Sequence, residues 1–324
     1  MTPKIKIYIL SLGIFLFGFS IGYFITSKNI QINQNYTETH DFNTNLKYIS
    51  PLLSCGNPSS NTLTDLKQKV VSTIEKQDLN HISVYFRDLN NGPWFGINEN
   101  TLFSPASLVK VPLAIAYYKL AETDPSIFNK TVINSIKDDN SEQNIKPEKT
   151  ITPNQEYTIK QLIEFMIVYS DNNSYDLLSN HIDSQNLRNV YFNLGIDLDK
   201  AMENPTGNII SVKNYASFFR ILFNASYLNP QSSNELLEML TRTTFNKGLV
   251  AGIGQGTTVA HKFGERYFTD TNERQLHDCG IVYSPQKPYL VCIMTRGTDF
   301  NSLTQSIKAI SSIIFQHWQS LQSQ

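Results

Sequence analysis

The chain has 324 residues, of which 40% are hydrophobic and 17% charged, with a formal net charge of −1. That length suits one large globular domain with an appendage, or two small domains. The near-neutral balance, with no basic stripe along the chain, excludes an electrostatic case for a nucleic-acid partner.

Lys4 and Lys6 precede Ile7–Thr26, an uncharged run long enough to cross a bilayer as a helix. A cleaved signal peptide needs a shorter apolar core and a small-residue site of the Ala-x-Ala kind. The first alanine in the chain is Ala106, so the run reads as an uncleaved anchor. The two lysines place a stub, residues 1–6, in the cytoplasm and the rest of the chain outside it. Residues 27–61 follow as a polar linker rich in Asn, Thr, Ser and Gln, without hydrophobic periodicity. "LLSC" at 52–55 lies too far beyond the apolar run to be a lipidation box.

Residues 62–324 form the folded domain. "LTDLKQKVVSTIEKQ" carries helical spacing, with Thr64 or Asp65 as cap. "HISVYFRDL" and "WFGINEN" are strand-like and separated by Asn-Asn-Gly-Pro, a turn signal. A mostly helical section then runs to about Val250, clearest in "YTIKQLIEFMIVYSDNNSYDLLSNHI" and "VKNYASFFRILFNASYL". "GIGQG" at 252–256 precedes a strand rather than opening a helix, so it is a turn and not a phosphate loop. Strands return in "TTVAHKFG", "LHDCGIVYS" and "YLVCIMTRG", and a helix over 302–321 closes the chain. Strands at both ends with helices between predict an α+β fold. Its antiparallel sheet is built from both termini with flanking helices, beside an all-helical lobe. The cleft between sheet and lobe is the natural place for a site.

The cysteines are Cys55, Cys279 and Cys292, and none has metal or redox spacing. A hairpin at "SPQKP" would bring Cys279 and Cys292 nearly opposite each other, as a bonded pair or as two buried thiols. The histidines show no ligand spacing, so no metal and no cofactor is implied. His261 should face away from Lys262 if the two alternate on a strand, and His277-Asp278 reads as structural.

"SPASLVKVPL" at 104–113 sets Ser107 and Lys110 three positions apart in an otherwise apolar run. On a helix they share a face, and apolar neighbours on all sides mark that helix as buried. Desolvation favours the neutral amine, which would make Lys110 an acceptor for the Ser107 proton. Spacing alone is not enough, since Ser284 and Lys287 repeat it. Two further elements follow: Ser170-Asp171-Asn172 at a polar break in a helical pattern, and Lys262-Phe263-Gly264 on a strand. Taken singly, Ser170-Asp171-Asn172 would be a helix cap or turn, and Lys262 an ordinary strand lysine.

In this order, S-x-x-K, S-D-N and K-x-G resemble the penicillin-recognising serine hydrolases, and class A β-lactamases most closely. The resemblance runs from about Leu63 to the C terminus and is carried by "FSPASLVKVPL", "YSDNNS", "VAHKFGE" and "HDCGIVY". It implies that Ser107 attacks an amide or β-lactam carbonyl and becomes acylated. Lys110 accepts its proton, directly or through water, and Ser170 hands a proton to the leaving nitrogen with help from Lys262. Asn172 holds the substrate side-chain amide, and Gly264 lets the substrate backbone approach. The backbone N–H groups of Ser107 and Glu265 form the oxyanion hole, where one donor is worth about 3 kcal/mol.

Two departures from the family pattern stand out. Phe263 replaces the threonine whose hydroxyl helps hold the substrate carboxylate, leaving Arg266 or Arg296 to take that part. No E-x-x-L-N motif supplies the base for deacylation, and Glu203 in "MENPTGN" is the nearest candidate. The expected activity is therefore a β-lactamase-like serine hydrolase with slow deacylation. A D,D-peptidase acting on peptidoglycan stem peptides and a non-catalytic penicillin-binding sensor are the alternatives. The expected partners are a β-lactam or a stem peptide, and the membrane through the N-terminal helix. The expected state is a monomer at the cell surface or in the periplasm.

Overall fold

The computed structural model describes residues 60–321 apart from Asn91, 137–139, 141–142 and 285–286. The stub, the anchor over 7–26 and nearly all of the linker over 27–61 lie outside the described residues. Among the described residues, no helix is long and apolar enough to cross a membrane.

Five strands make one sheet: β1 (His81–Asp88), β2 (Trp94–Ile97), β5 (Thr258–Phe268), β6 (Glu273–Tyr283) and β7 (Tyr289–Gly297). Their order is β2-β1-β7-β6-β5 and every pairing is antiparallel. β1 pairs with β7, so the two ends of the domain meet in the middle of the sheet, as the order of strand-like runs implies.

Alternation along the strands gives the sheet two apolar faces. Ile82, Val84 and Phe86 of β1, with Val291 and Ile293 of β7, join Leu66, Val70, Ile307, Ile310 and Trp318 in one cluster. The last five belong to α1 (Ser60–Ile74) and α9 (Phe300–Ser320), which cover that face. Tyr85, Ile281, Leu290 and Met294 point the other way, into the helical lobe. The lobe comprises α2 (Lys110–Ala121), α3 (Ile159–Val168), α4 (Asn172–His181), α5 (Ser184–Phe192), α6 (Leu198–Met202), α7 (Val212–Phe223) and α8 (Pro230–Leu240). Burying one Leu, Ile or Phe contributes roughly 1.5–3 kcal/mol, so these two clusters hold the layers together.

Three details differ from, or sharpen, the sequence-based picture. A small hairpin, β3 (Thr131–Ile133) with β4 (Glu156–Thr158), stands inside the section expected to be helical. The run "YTIKQLIEFMIVYSDNNSYDLLSNHI" is two helices, α3 and α4, parted at Ser170, whose φ is +58°. Cys279 and Cys292 are directly opposite in the β6–β7 ladder and form a disulfide.

Candidate active site

Ser107 lies in a short 3-10 turn, Ala106–Val109, that runs straight into α2. Ala106 just before it has φ +47°, a left-handed conformation that costs a residue with a Cβ about 1 kcal/mol or more. What holds it there is β6: Ser104 N donates to Gln275 Oε1 at 3.0 Å, and His277 Nε2 donates to Ser104 O at 3.0 Å. Tyr215 of α7 adds a hydrogen bond to Leu108 O at 3.1 Å. These ties fix the start of α2 against both the sheet and the lobe.

Lys110 is 1% exposed. Its Nζ donates to Ser170 O at 2.6 Å and Asn172 Oδ1 at 2.7 Å, and reaches Ser107 Oγ at 3.1 Å and Ser170 Oγ at 3.3 Å. One amine therefore touches Ser107, Ser170 and Asn172, drawing the first two motifs together. Lys262, fully buried on β5, donates to Ser170 Oγ at 2.9 Å and to Phe263 O at 2.9 Å. Burial pushes Lys262 well below the usual lysine range, and the nearby charge of Lys110 pushes it further; Asp278 opposes both.

Ser170 holds its left-handed backbone because both sides of the break are anchored. Asp171 caps α4 by accepting from Ser174 N at 2.9 Å, and it also accepts from Asn140 Nδ2 at 2.8 Å and from Thr150 Oγ1. Asn140 Oδ1 accepts from Asn172 N at 2.9 Å, and Gln143 Nε2 donates to Ser170 O at 3.2 Å. Asn140, Gln143 and Thr150 were not found by sequence reasoning. They lie on the long β3–β4 connection, whose polar composition carries no spacing signal.

β5 closes the site from the other side. A Cβ added at Gly264 would stand 3.1 Å from Ser107 N, Leu108 N and Pro105 O, so a side chain there would press on the turn that carries Ser107. Glu265 sends its carboxylate across the cleft, where it accepts from Asn144 N at 2.6 Å, Asn144 Nδ2 at 2.9 Å and Ile145 N at 3.1 Å. Phe263 is buried and stacks on Phe245 with ring centroids 4.3 Å apart. The resulting cleft has a volume of about 410 Å³, and Ser107, Lys110, Ser170, Asn172, Phe263 and Glu265 all line it.

Arg266 also lines this cleft, whereas Arg296 is engaged elsewhere, with Leu102 O at 2.9 Å and Glu273 at 3.3 Å. Glu203 is exposed in the turn after α6 and is not among the residues lining the cleft. The second S-x-x-K pair is split: Lys287 Nζ donates to Leu321 O at 3.1 Å, while Ser284 Oγ accepts from Gln319 Nε2 at 2.9 Å. His261 faces away from Lys262, with Nδ1 bonded to Asp278 Oδ1 at 2.8 Å on the α9 side of the sheet.

Solved structures share this fold at low sequence identity. PBP-A is 23% identical with a TM-score of 0.64, covering 83% of this chain and 99% of its own. A point mutant of PBP-A, solved as an acyl-enzyme complex with penicillin G, is 23% identical with a TM-score of 0.66, covering 83% and 100%. A representative class A β-lactamase from Bacteroides cellulosilyticus is 16% identical with a TM-score of 0.67, covering 82% and 100%. No curated protein sequence matches the chain. A model of the beta-lactamase enzyme family, however, matches residues 65–318, almost the whole of the described domain, and the chain belongs to that family.

Proposed function

We propose that this β-lactamase-like serine hydrolase opens β-lactam amides through an acyl-enzyme on Ser107 and releases the product slowly. The observation that carries the reading is the position of Lys110 Nζ, in reach of Ser107 Oγ, Ser170 Oγ and Asn172 Oδ1 at once. Once it has given up its own proton, Lys110 keeps two N–H groups on Ser170 O and Asn172 Oδ1, and its lone pair takes the Ser107 proton. Ser107 Oγ bonds to the carbonyl carbon as the amide C–N bond breaks. The proton then travels from Lys110 to Ser170 Oγ, 3.3 Å away, as Ser170 gives its own proton to the leaving nitrogen. Lys262 keeps the Ser170 hydroxyl aimed by its 2.9 Å hydrogen bond. The backbone N–H groups of Ser107 and Glu265 receive the developing oxyanion. The penicillin acyl-enzyme of the PBP-A mutant supports β-lactams as acylating substrates.

Water attack on the ester needs its own base, usually worth about 10² to 10⁴ in rate. Glu203 lies in an exposed turn outside the cleft, which favours a persistent adduct and keeps a D,D-peptidase acting on stem peptides as the second reading. Intact-mass spectrometry of the soluble domain with penicillin G tests both. We expect an adduct of one penicillin, mapped to Ser107, that decays slowly and is little altered by Glu203→Gln. Label on Ser170 or Ser284 would reject the assignment, and fast turnover lost in Glu203→Gln would make Glu203 the base.

We also propose that residues 7–26 anchor the enzyme with its domain outside the cytoplasm, on the strength of Lys4, Lys6 and the missing cleavage alanine. Protease added to intact cells should then digest the domain while the N terminus stays protected. A mature protein beginning near residue 27 contradicts this.

A further inference from the structure

Two carboxylates line the catalytic cleft among the described residues, Asp176 and Glu265. Glu265 belongs to the β5 wall, and both of its oxygens accept hydrogen bonds from Asn144 and Ile145 across the cleft. Asp176 belongs to the opposite wall. It lies four positions after Asn172 on α4, so the two side chains share a helix face with Cβ atoms about 5–6 Å apart. Asn172 is held by Lys110, the same amine that reaches Ser107. Asp176 therefore lines the same cleft as Ser107, Lys110 and Asn172, one helical turn along α4 from Asn172, and it is only partly buried.

We propose that Asp176 is the general base for the slow deacylation of Ser107, in a part that the sequence motifs assign to no residue here. This rests on the reading above that Ser107 becomes acylated. A water bound between Asp176 and the ester carbonyl gives one proton to the carboxylate as its oxygen bonds to the acyl carbon. The tetrahedral intermediate collapses by breaking the bond from the acyl carbon to Ser107 Oγ. Asp176 passes the proton it took from water to the neutral Lys110, Lys110 hands one to Ser107 Oγ as that bond breaks, and the product leaves as a carboxylic acid. No further reactant is needed.

The experiment is penicillin G acylation followed by removal of free drug, with the adduct timed by intact mass in wild type, Asp176→Asn and Asp176→Glu. The adduct should still form in Asp176→Asn, and its lifetime should lengthen by about 10²-fold, the low end for loss of a general base. Asp176→Glu, which keeps a carboxylate on the same wall, should clear its adduct faster than Asp176→Asn. Equal lifetimes in wild type and Asp176→Asn overturn the proposal. So does failure of both variants to acylate while melting like wild type, since Asp176 would then build the acylation site. A wild-type protein that forms no adduct fails the acyl-enzyme reading itself, a separate result from a change in lifetime.

Discussion

Lys262 and His277 are both fully buried, and burial disfavours the charged form of each. For Lys262 the second cationic amine nearby acts in the same sense. A neutral or easily neutralised lysine beside Ser170 suits a site that moves protons between hydroxyls and amines. His277 sits directly opposite Gly264 in the ladder and supports the turn before Ser107 through its hydrogen bond to Ser104 O. Its pKa is lowered from 6.5 to about 4, chiefly by burial, while the bond to Ser104 works against the shift. Between those values the unfolded chain binds a proton at this position and the folded chain does not, so acidification favours unfolding. One proton over about 2.5 pH units amounts to roughly 3 kcal/mol lost on going from pH 6.5 to 4. Urea melts of wild type and His277→Asn across this range should show a shallower pH dependence in the variant. Identical slopes would mean that His277 is charged in the fold.

At the scale of elements, what the sequence revealed was whatever repeats locally. The alternation of Ile82, Val84 and Phe86 against Ser83 and Tyr85 marks β1, and the two faces it predicts are the two clusters on the sheet. The 3.6 periodicity of α3 and α4 was equally plain, but the break between them required chemistry rather than pattern. Ser170-Asp171-Asn172 is at once a cap and the proposed catalytic motif, since Asp171 caps α4 while Ser170 turns toward the two lysines. The parts that stayed hidden depend on partners far away along the chain. Asn140 becomes meaningful only when Asp171 and Asn172 are beside it, and Gln275 only when Ser104 N reaches it across 171 positions. β3 and β4 are three residues each and alternate too briefly to stand out from a helical background. The cleft position of Asp176 was missed for the opposite reason: it lies in a helix that was recognised, in a spacing that any amphipathic helix shows.

At the scale of the whole molecule, the sheet pairs strands from the two ends of the domain, and the proposed catalytic groups depend on both ends. Ser107 follows β2 and depends on β6 for its backbone, while Lys262 comes from β5. The site therefore exists only when the terminal elements are docked. Trp318, near the end of α9, is the plainest example of such docking. It is 3% exposed, packs edge-on against Phe86 of β1 at 5.0 Å and Tyr289 of β7 at 5.9 Å, and donates to Lys287 O at 2.8 Å. Replacing it with alanine removes that packing and leaves a cavity between the helix and the central strands, at a cost of about 3–5 kcal/mol. For a domain of this size the melting temperature should fall by on the order of 10 °C. Because the sheet links both ends, far-UV circular dichroism and Ser107 acylation should be lost in one coincident transition, in Trp318→Ala as in the wild type. If acylation instead survives after the α9 signal has melted, the lobe and strands hold the site without the C-terminal helix, and the molecule is two cooperative units rather than one.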